Sequence, residues 1–248
     1  MIVCRSATEI DKIRQAGRIV AEALDQARRM SEPGATTREI DKQVEKQIRK
    51  ARASPAFRGY RGYPASACIS IDEEVVHGIP GERVIESGQL VSIDVGVELD
   101  GYFADAARTF PVGSVSDEAA RLLEAGRSSL AAGIKKMEPG NHLYDISAAV
   151  EEVATAAGFS VVREYVGHGI GREMHEEPQI PNYRQPTGGP RLEAGMVFAL
   201  EPMVNAGGCE VRVLDDGWTV VTKDGRLSTH FEDTVAITNN GPAVLTLL

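Results

Sequence analysis

The chain repeats itself. Glu32-Pro33-Gly34 followed by Glu39-Ile40 recurs as Glu138-Pro139-Gly140 followed by Asp145-Ile146, and Ala16-Gly17-Arg18 recurs in the same order as Ala125-Gly126-Arg127. Similar segments recurring in the same order mark structural units built alike. Two similar halves are implied, about 1–112 and 113–248, meeting near Pro111 to Ser116 and forming a single domain. A chain of 248 residues buries enough apolar surface to need no disulfide staples.

Each half opens with a helix that stops at its Pro-Gly and continues with a second helix. Ile10, Ile13, Ala16, Ile19, Val20 and Leu24 share one helical face, and Ser6 with Glu9 forms a capping-box start, which predicts a helix over 7–31. Thr36 with Glu39 repeats that signal for 37–53, and the pattern returns over 117–136 and 143–157. β-rich sequence follows each pair: Val91 to Phe110, Met196 to Val204, and His230 to Thr238. The fold class is α+β, with helices on one side of a largely antiparallel sheet.

Composition removes several function classes. No apolar run approaches the roughly 18–20 residues of a membrane span. The stretch Met1 to Asp11 meets Arg5 and Glu9 before any run of signal-peptide length, so a soluble cytoplasmic protein is expected. A net charge of −9, with Lys and Arg scattered, would repel nucleic acid. Cys4, Cys68 and Cys209 are odd in number and in no C-x-x-C spacing, which predicts reduced thiols and neither a disulfide framework nor a zinc ribbon. Acidic balance names no substrate, but clustered carboxylates are one way to hold cations.

Asp100-Gly101 is a strong two-residue hairpin turn. Centring a hairpin on it puts Asp105 opposite Gly96 and diagonal to Asp94, so both aspartates share a face at a backbone separation of about 7–8 Å. Gly96 leaves room between them, while Val91, Ile93, Val95, Val97 and Leu99 form the core face. Taken alone, the pair reads equally as the wet face of an amphipathic hairpin, and other segments must decide. Glu201 ends the apolar run Met196 to Leu200 and precedes Pro202, and Glu232 sits in a second strand, His230 to Val235. His168 and His175 lie in Gly167-His168-Gly169-Ile170-Gly171-Arg172-Glu173-Met174-His175-Glu176-Glu177-Pro178, where alternating glycines allow unusual backbone angles and close approach to a ligand. The spacing is not that of the helical zinc motif H-E-x-x-H. His77, in Val75-Val76-His77-Gly78-Ile79-Pro80, reads either as a core histidine or as a site residue.

Across these segments the chain resembles the type I methionine aminopeptidases, within the wider family that includes prolidase and creatinase. The likeness is carried by Val76-His77-Gly78-Ile79-Pro80, Ser92-Ile93-Asp94-Val95, Asp100-Gly101 with Asp105, Gly167 to Gly171, His175-Glu176-Glu177-Pro178, Glu201-Pro202-Met203 and Phe231-Glu232. It implies a pseudo-twofold pita-bread fold with a dinuclear metal site between the halves. By resemblance Asp94, Asp105, His168, Glu201 and Glu232 are the ligands of two divalent ions, with Asp105 and Glu232 bridging. Oxygen-rich ligation with one imidazole suits Mn, Fe, Co or Zn.

The resemblance further implies removal of the initiator methionine from nascent proteins when the second residue is small, by a metal-bridged hydroxide with Glu201 as proton acceptor. His175 would meet the carbonyl oxygen and His77 the scissile amide nitrogen. Phe57, Tyr60, Tyr63, Cys68, Met174 and Trp218 would complete the substrate pocket, although Phe57 stands where the family usually has Cys and Met174 where it usually has Phe. The implied partners are nascent N-termini and the ribosome, with the enzyme a monomer. Two alternatives are an Xaa-Pro peptidase of the same fold, against which stands the lack of an extra N-terminal domain, and a metal-free protein-binding homologue, against which stand five intact ligand positions.

Overall fold

The computed structural model describes residues 2–248. Four α-helices form where the caps predict: α1 (Ala7–Met30), α2 (Thr37–Lys50), α3 (Asp117–Lys136) and α4 (Leu143–Ala156). Ser6 accepts from the Glu9 N–H while Glu9 reaches back to the Ser6 N–H, and Thr36 and Glu39 repeat the arrangement. Each reciprocal pair satisfies donors that a helix start leaves open. α2 ends short of the expected 53 because Arg52 takes a left-handed backbone conformation, φ 61°. Among the described residues no helix is long and apolar enough to cross a membrane.

The repeated Ala-Gly-Arg has a packing reason. A Cβ on Gly17 would lie 2.3 Å from the Leu245 carbonyl oxygen, and one on Gly126 would lie 2.7 Å from Thr229 Oγ1. Each glycine is where the first helix of a pair presses on a neighbouring segment. α1 and α2 share one apolar cluster with Val91, Ile93, Val95 and Val97, whereas α3 and α4 share another with Phe198, Leu200, Val204 and Val235. Every such aliphatic side chain taken out of water contributes about 1.5–3 kcal/mol.

The strands named here pair antiparallel, as the α+β reading expects, and form several small sheets. The predicted strand Met196–Val204 is split at Glu201-Pro202: Val197–Leu200 pairs with Gly167–Gly169 and Asp233–Thr238, while Met203–Asn205 pairs with Ser160–Val161 and Ser228–His230. The predicted strand His230–Thr238 is split likewise at Phe231-Glu232. Glu232 therefore lies between strands and not within one. At both breaks the chain changes partners, and at both breaks it leaves a glutamate.

Candidate metal centre

The hairpin has the predicted register. Asp100 and Gly101 are both left-handed, φ 51° and 77°, as a tight hairpin turn requires, and Gly96 faces Asp105 across Leu90–Leu99 and Tyr102–Pro111. The wet-face reading fails here, since Asp105 is only 3% exposed and Asp94 Oδ1 and Asp105 Oδ1 are both buried without a hydrogen-bond partner.

A second set of bonds delivers the glutamates to this hairpin. The Asp105 N–H donates to Thr234 Oγ1 at 2.9 Å, and that hydroxyl donates back to the Asp105 carbonyl at 2.8 Å. The Glu232 N–H donates to the Ala107 carbonyl at 2.9 Å, and Arg108 donates to both the Glu232 carbonyl and the Asp233 carboxylate. Glu201 follows directly on Val197–Leu200, in which Leu200 pairs with Asp233 and Ala199 with His168. Three chain segments thus bring Glu232, Glu201 and His168 to the aspartates. Gly167 and Gly169 serve strand packing and not unusual backbone angles: a Cβ would lie 2.6 Å from the Ala199 oxygen in one case and 2.2 Å from the Glu177 oxygen in the other.

The electrostatics call for a cation. Asp105, His168 and Glu232 each offer a donor atom within 4.8 Å of the others. His168 Nε2 is 3.6 Å from Glu201 Oε1 and 4.0 Å from Asp105 Oδ2. His168 Nδ1 lies 2.9 Å from the Gly169 carbonyl, which can only accept, so the ring proton sits on Nδ1 and the Nε2 lone pair is free to ligate. Among the described residues, no Lys or Arg pairs with Asp94, Asp105, Glu201 or Glu232; their only close basic neighbours are His168 and His230. Burial pushes Glu201 up to about 8 and Asp94 up to about 6. Burial and neighbouring carboxylates push Asp105 and Glu232 well above the carboxylate range. Buried carboxylates persist as anions only when paired or bound to metal, and this mainly oxygen donor set with one bare imidazole nitrogen fits divalent cations.

A cavity of about 320 Å³ opens beside the carboxylates, lined by all of the sequence-predicted site residues except Met174. Met174 is 2% exposed and packs in the cavity wall with Phe57, Tyr63 and Cys68. His175 stacks on Tyr60, its Nδ1 2.8 Å from the Tyr60 hydroxyl, and its ring centre lies 4.2 Å from that of His168. His77 sits edge-on to Trp218 and Tyr165, with burial holding its imidazole at about 4 and therefore neutral. His230 is the neighbour that sequence reasoning leaves unassigned. Its Nε2 lies 3.6 Å from Glu201 Oε2 and 3.9 Å from Glu232 Oε2. The signal was its spacing of two from Glu232, which in a continuous strand puts both on one face.

Comparison with known proteins agrees with this geometry. The model of metallopeptidase family M24 matches residues 11–239. The chain is 51% identical over 248 residues to a methionine aminopeptidase of Clostridium perfringens, covering 100% of both, and 49% identical over 246 residues to methionine aminopeptidase 1 of Bacillus subtilis, covering 99% of both. Its fold superimposes on the crystal structure of methionine aminopeptidase from Thermotoga maritima with a TM-score of 0.98 at 44% identity, covering 100% of both chains. With matching family, full-length relatives, fold and a buried donor set suited to divalent metal, the chain belongs to metallopeptidase family M24.

Proposed function

We propose that this protein is a metal-dependent aminopeptidase that removes the N-terminal methionine of newly made polypeptides whose second residue is small. The observation that carries the reading is the 51% identity to a methionine aminopeptidase over the whole of both chains. Nascent chains as substrates imply action in the cytoplasm near the ribosome, and the site supplies nothing that requires a second copy. That α1 and α2 pack in one apolar cluster and α3 and α4 in another supports two pseudo-repeats, about 1–112 and 113–248.

Asp94, Asp105, His168, Glu201 and Glu232 would hold two divalent cations, Asp105 and Glu232 bridging them, with Co, Mn, Fe or Zn suited to the donors. Bound there, the cations would polarise the scissile carbonyl and make water acidic enough to react at neutral pH. Glu201 takes the proton of the attacking water and returns it to the departing amine. With the Tyr60 hydroxyl donating to Nδ1, His175 keeps its proton on Nε2 and donates it to the carbonyl oxygen as negative charge develops. Neutral His77 meets the scissile amide nitrogen. Phe57, Tyr63, Cys68 and Trp218 offer the methionine thioether a soft, aromatic wall, and the free α-amino group rests beside the carboxylates, which restricts cleavage to the first residue.

The test is a panel of peptides with metal-loaded protein: Met-Gly and Met-Ala peptides cleaved, Met-Leu slowly, Ala-Pro not at all. Cleavage of Ala-Pro ahead of Met-Gly would support the Xaa-Pro alternative instead.

A further inference from the structure

Behind Glu201 stands a group that the mechanism above leaves idle. His230 is 2% exposed, and its Nε2 has no hydrogen-bond partner among the described residues. Buried polar atoms are nearly always paired, so an orphan beside a reactive site asks for a function. The ring is carried on a rigid strand. The His230 N–H donates to Thr109 Oγ1 at 2.9 Å, the same hydroxyl donates to the His230 carbonyl at 2.9 Å, and Met203 pairs with His230 on the other side.

The Glu201 carboxylate lies between two imidazoles, one at each oxygen: His168 Nε2 is 3.6 Å from Oε1, and His230 Nε2 is 3.6 Å from Oε2. The two rings offer different things. His168 carries its proton on Nδ1 and presents a bare lone pair. The close groups facing His230 Nε2 are carboxylate oxygens of Glu201 and Glu232; once a cation holds them ionised they accept and do not donate, and that environment then selects a proton on Nε2.

We propose that His230 is a positioning residue that donates from Nε2 to Glu201 Oε2, fixing the rotation of that carboxylate so that Oε1 and His168 Nε2 face the cation site together. The present separation of 3.6 Å is longer than a hydrogen bond, and catalytic hydrogen bonds are often long before the reactive complex forms. The proposal rests on the reading of Glu201 as ligand and proton acceptor given above.

Two amides separate this role from a structural one. In His230→Gln the side-chain amide N–H reaches the place of Nε2, whereas in His230→Asn an equally polar amide stops short at the place of Nδ1. Both are compared with wild type for Co²⁺ stoichiometry by titration calorimetry, for the visible spectrum of the Co²⁺-loaded protein, and for kcat and KM on a Met-Ala-Ser peptide. His230→Gln should keep kcat within about fivefold, while His230→Asn should lose about 30-fold or more in kcat with KM changed less than about threefold. Both should bind as much Co²⁺ as wild type. Wild-type kcat in His230→Asn, or equal losses in the two variants, would overturn the proposal. Loss of Co²⁺ from His230→Gln would also overturn it by making the imidazole a ligand. A wild-type protein that binds Co²⁺ but releases no methionine sinks the aminopeptidase reading instead. The positioning role is then judged by the Co²⁺ spectrum, which His230→Gln should leave unchanged and His230→Asn should alter; identical spectra in all three proteins would contradict it.

Discussion

The hydroxyl of Tyr60 lies 2.8 Å from Nδ1 of His175, and the two rings stack with their centres 5.2 Å apart. With the Tyr60 hydroxyl as the donor in that contact, His175 carries its proton on Nε2, ready for the carbonyl oxygen of a substrate. Tyr60→Phe should therefore lower kcat roughly five- to tenfold, equivalent to about 1 kcal/mol for one hydrogen bond. His175→Ala and His77→Ala should each lose about 100-fold or more in turnover, as when a transition-state hydrogen bond is removed, while keeping their metal. Metal analysis beside steady-state kinetics checks both. Metal loss in either histidine variant would make that residue a ligand.

Phe57 and Met174 meet over Gly96: a Cβ there would lie 2.6 Å from Phe57 Cε1 and 3.1 Å from Met174 Cε. The two departures from the usual family residues thus share one wall of the cleft, Phe57 filling volume and Met174 yielding to it. Phe57→Cys should leave a void and Met174→Phe should overpack, each weakening transition-state binding by about 1–3 kcal/mol. Residues in contact couple by about 0.5–3 kcal/mol, so the double variant should recover part of the loss. A double-mutant cycle on kcat/KM for a Met-Ala peptide at equal metal content reads this, and strictly additive losses would count against it.

What the sequence makes legible follows from local chemistry. The hairpin register is readable because Asp100-Gly101 admits one tight turn, and the helix starts are readable because Ser6 with Glu9 and Thr36 with Glu39 cap themselves. The strand break at Glu201-Pro202 is marked by Pro202, which cannot donate to a ladder, whereas the one at Phe231-Glu232 is not readable, because changing sheet partner requires no change in β-forming residues. For the same reason the glycines flanking His168 suggest a ligand when their cause is a neighbouring backbone. Asp94, Asp105, Glu201 and Glu232 are hard to assign singly, since a carboxylate next to an apolar run looks the same whether it faces water or a metal. Only the tertiary pairing of Asp105 with Thr234 and of Ala107 with Glu232 reveals their convergence.

The metal-free site should make stability fall with pH. An acid whose pKa is higher in the folded state binds more protons there, so stability is lost as pH rises toward the folded value. Burial places Glu201 at about 8 and Asp94 at about 6. Burial shifts His77 and His168 downward to about 4 and about 3, so their contribution rises with pH up to the ordinary histidine value of 6.5 and is level above it. Between pH 6.5 and 8 the carboxylates act unopposed by these two histidines. The Tm of chelator-treated protein should fall across that window, and the gain in Tm on adding Mn²⁺ should grow. Calorimetry with and without metal checks this, and a metal-free Tm that rises over the window would contradict it.

Asp105→Asn and Glu232→Gln should each abolish metal loading and turnover while folding is retained. A bridging carboxylate supplies charge to both cations, and a neutral amide of the same shape supplies none. Either variant with a full complement of metal and near wild-type turnover would remove that residue from the bridging position.

The most direct measurement is a metal titration of the chelator-treated protein with Mn²⁺ or Co²⁺, following bound metal and free methionine released from Met-Ala-Ser together, with N-acetylated Met-Ala-Ser as the blocked control. Methionine release should be absent without metal, rise as the ions bind at the five-residue site, reach its limit by two equivalents and never occur with the blocked peptide. Release that persists without metal, or that ignores acetylation of the amino group, would contradict a metal-dependent aminopeptidase.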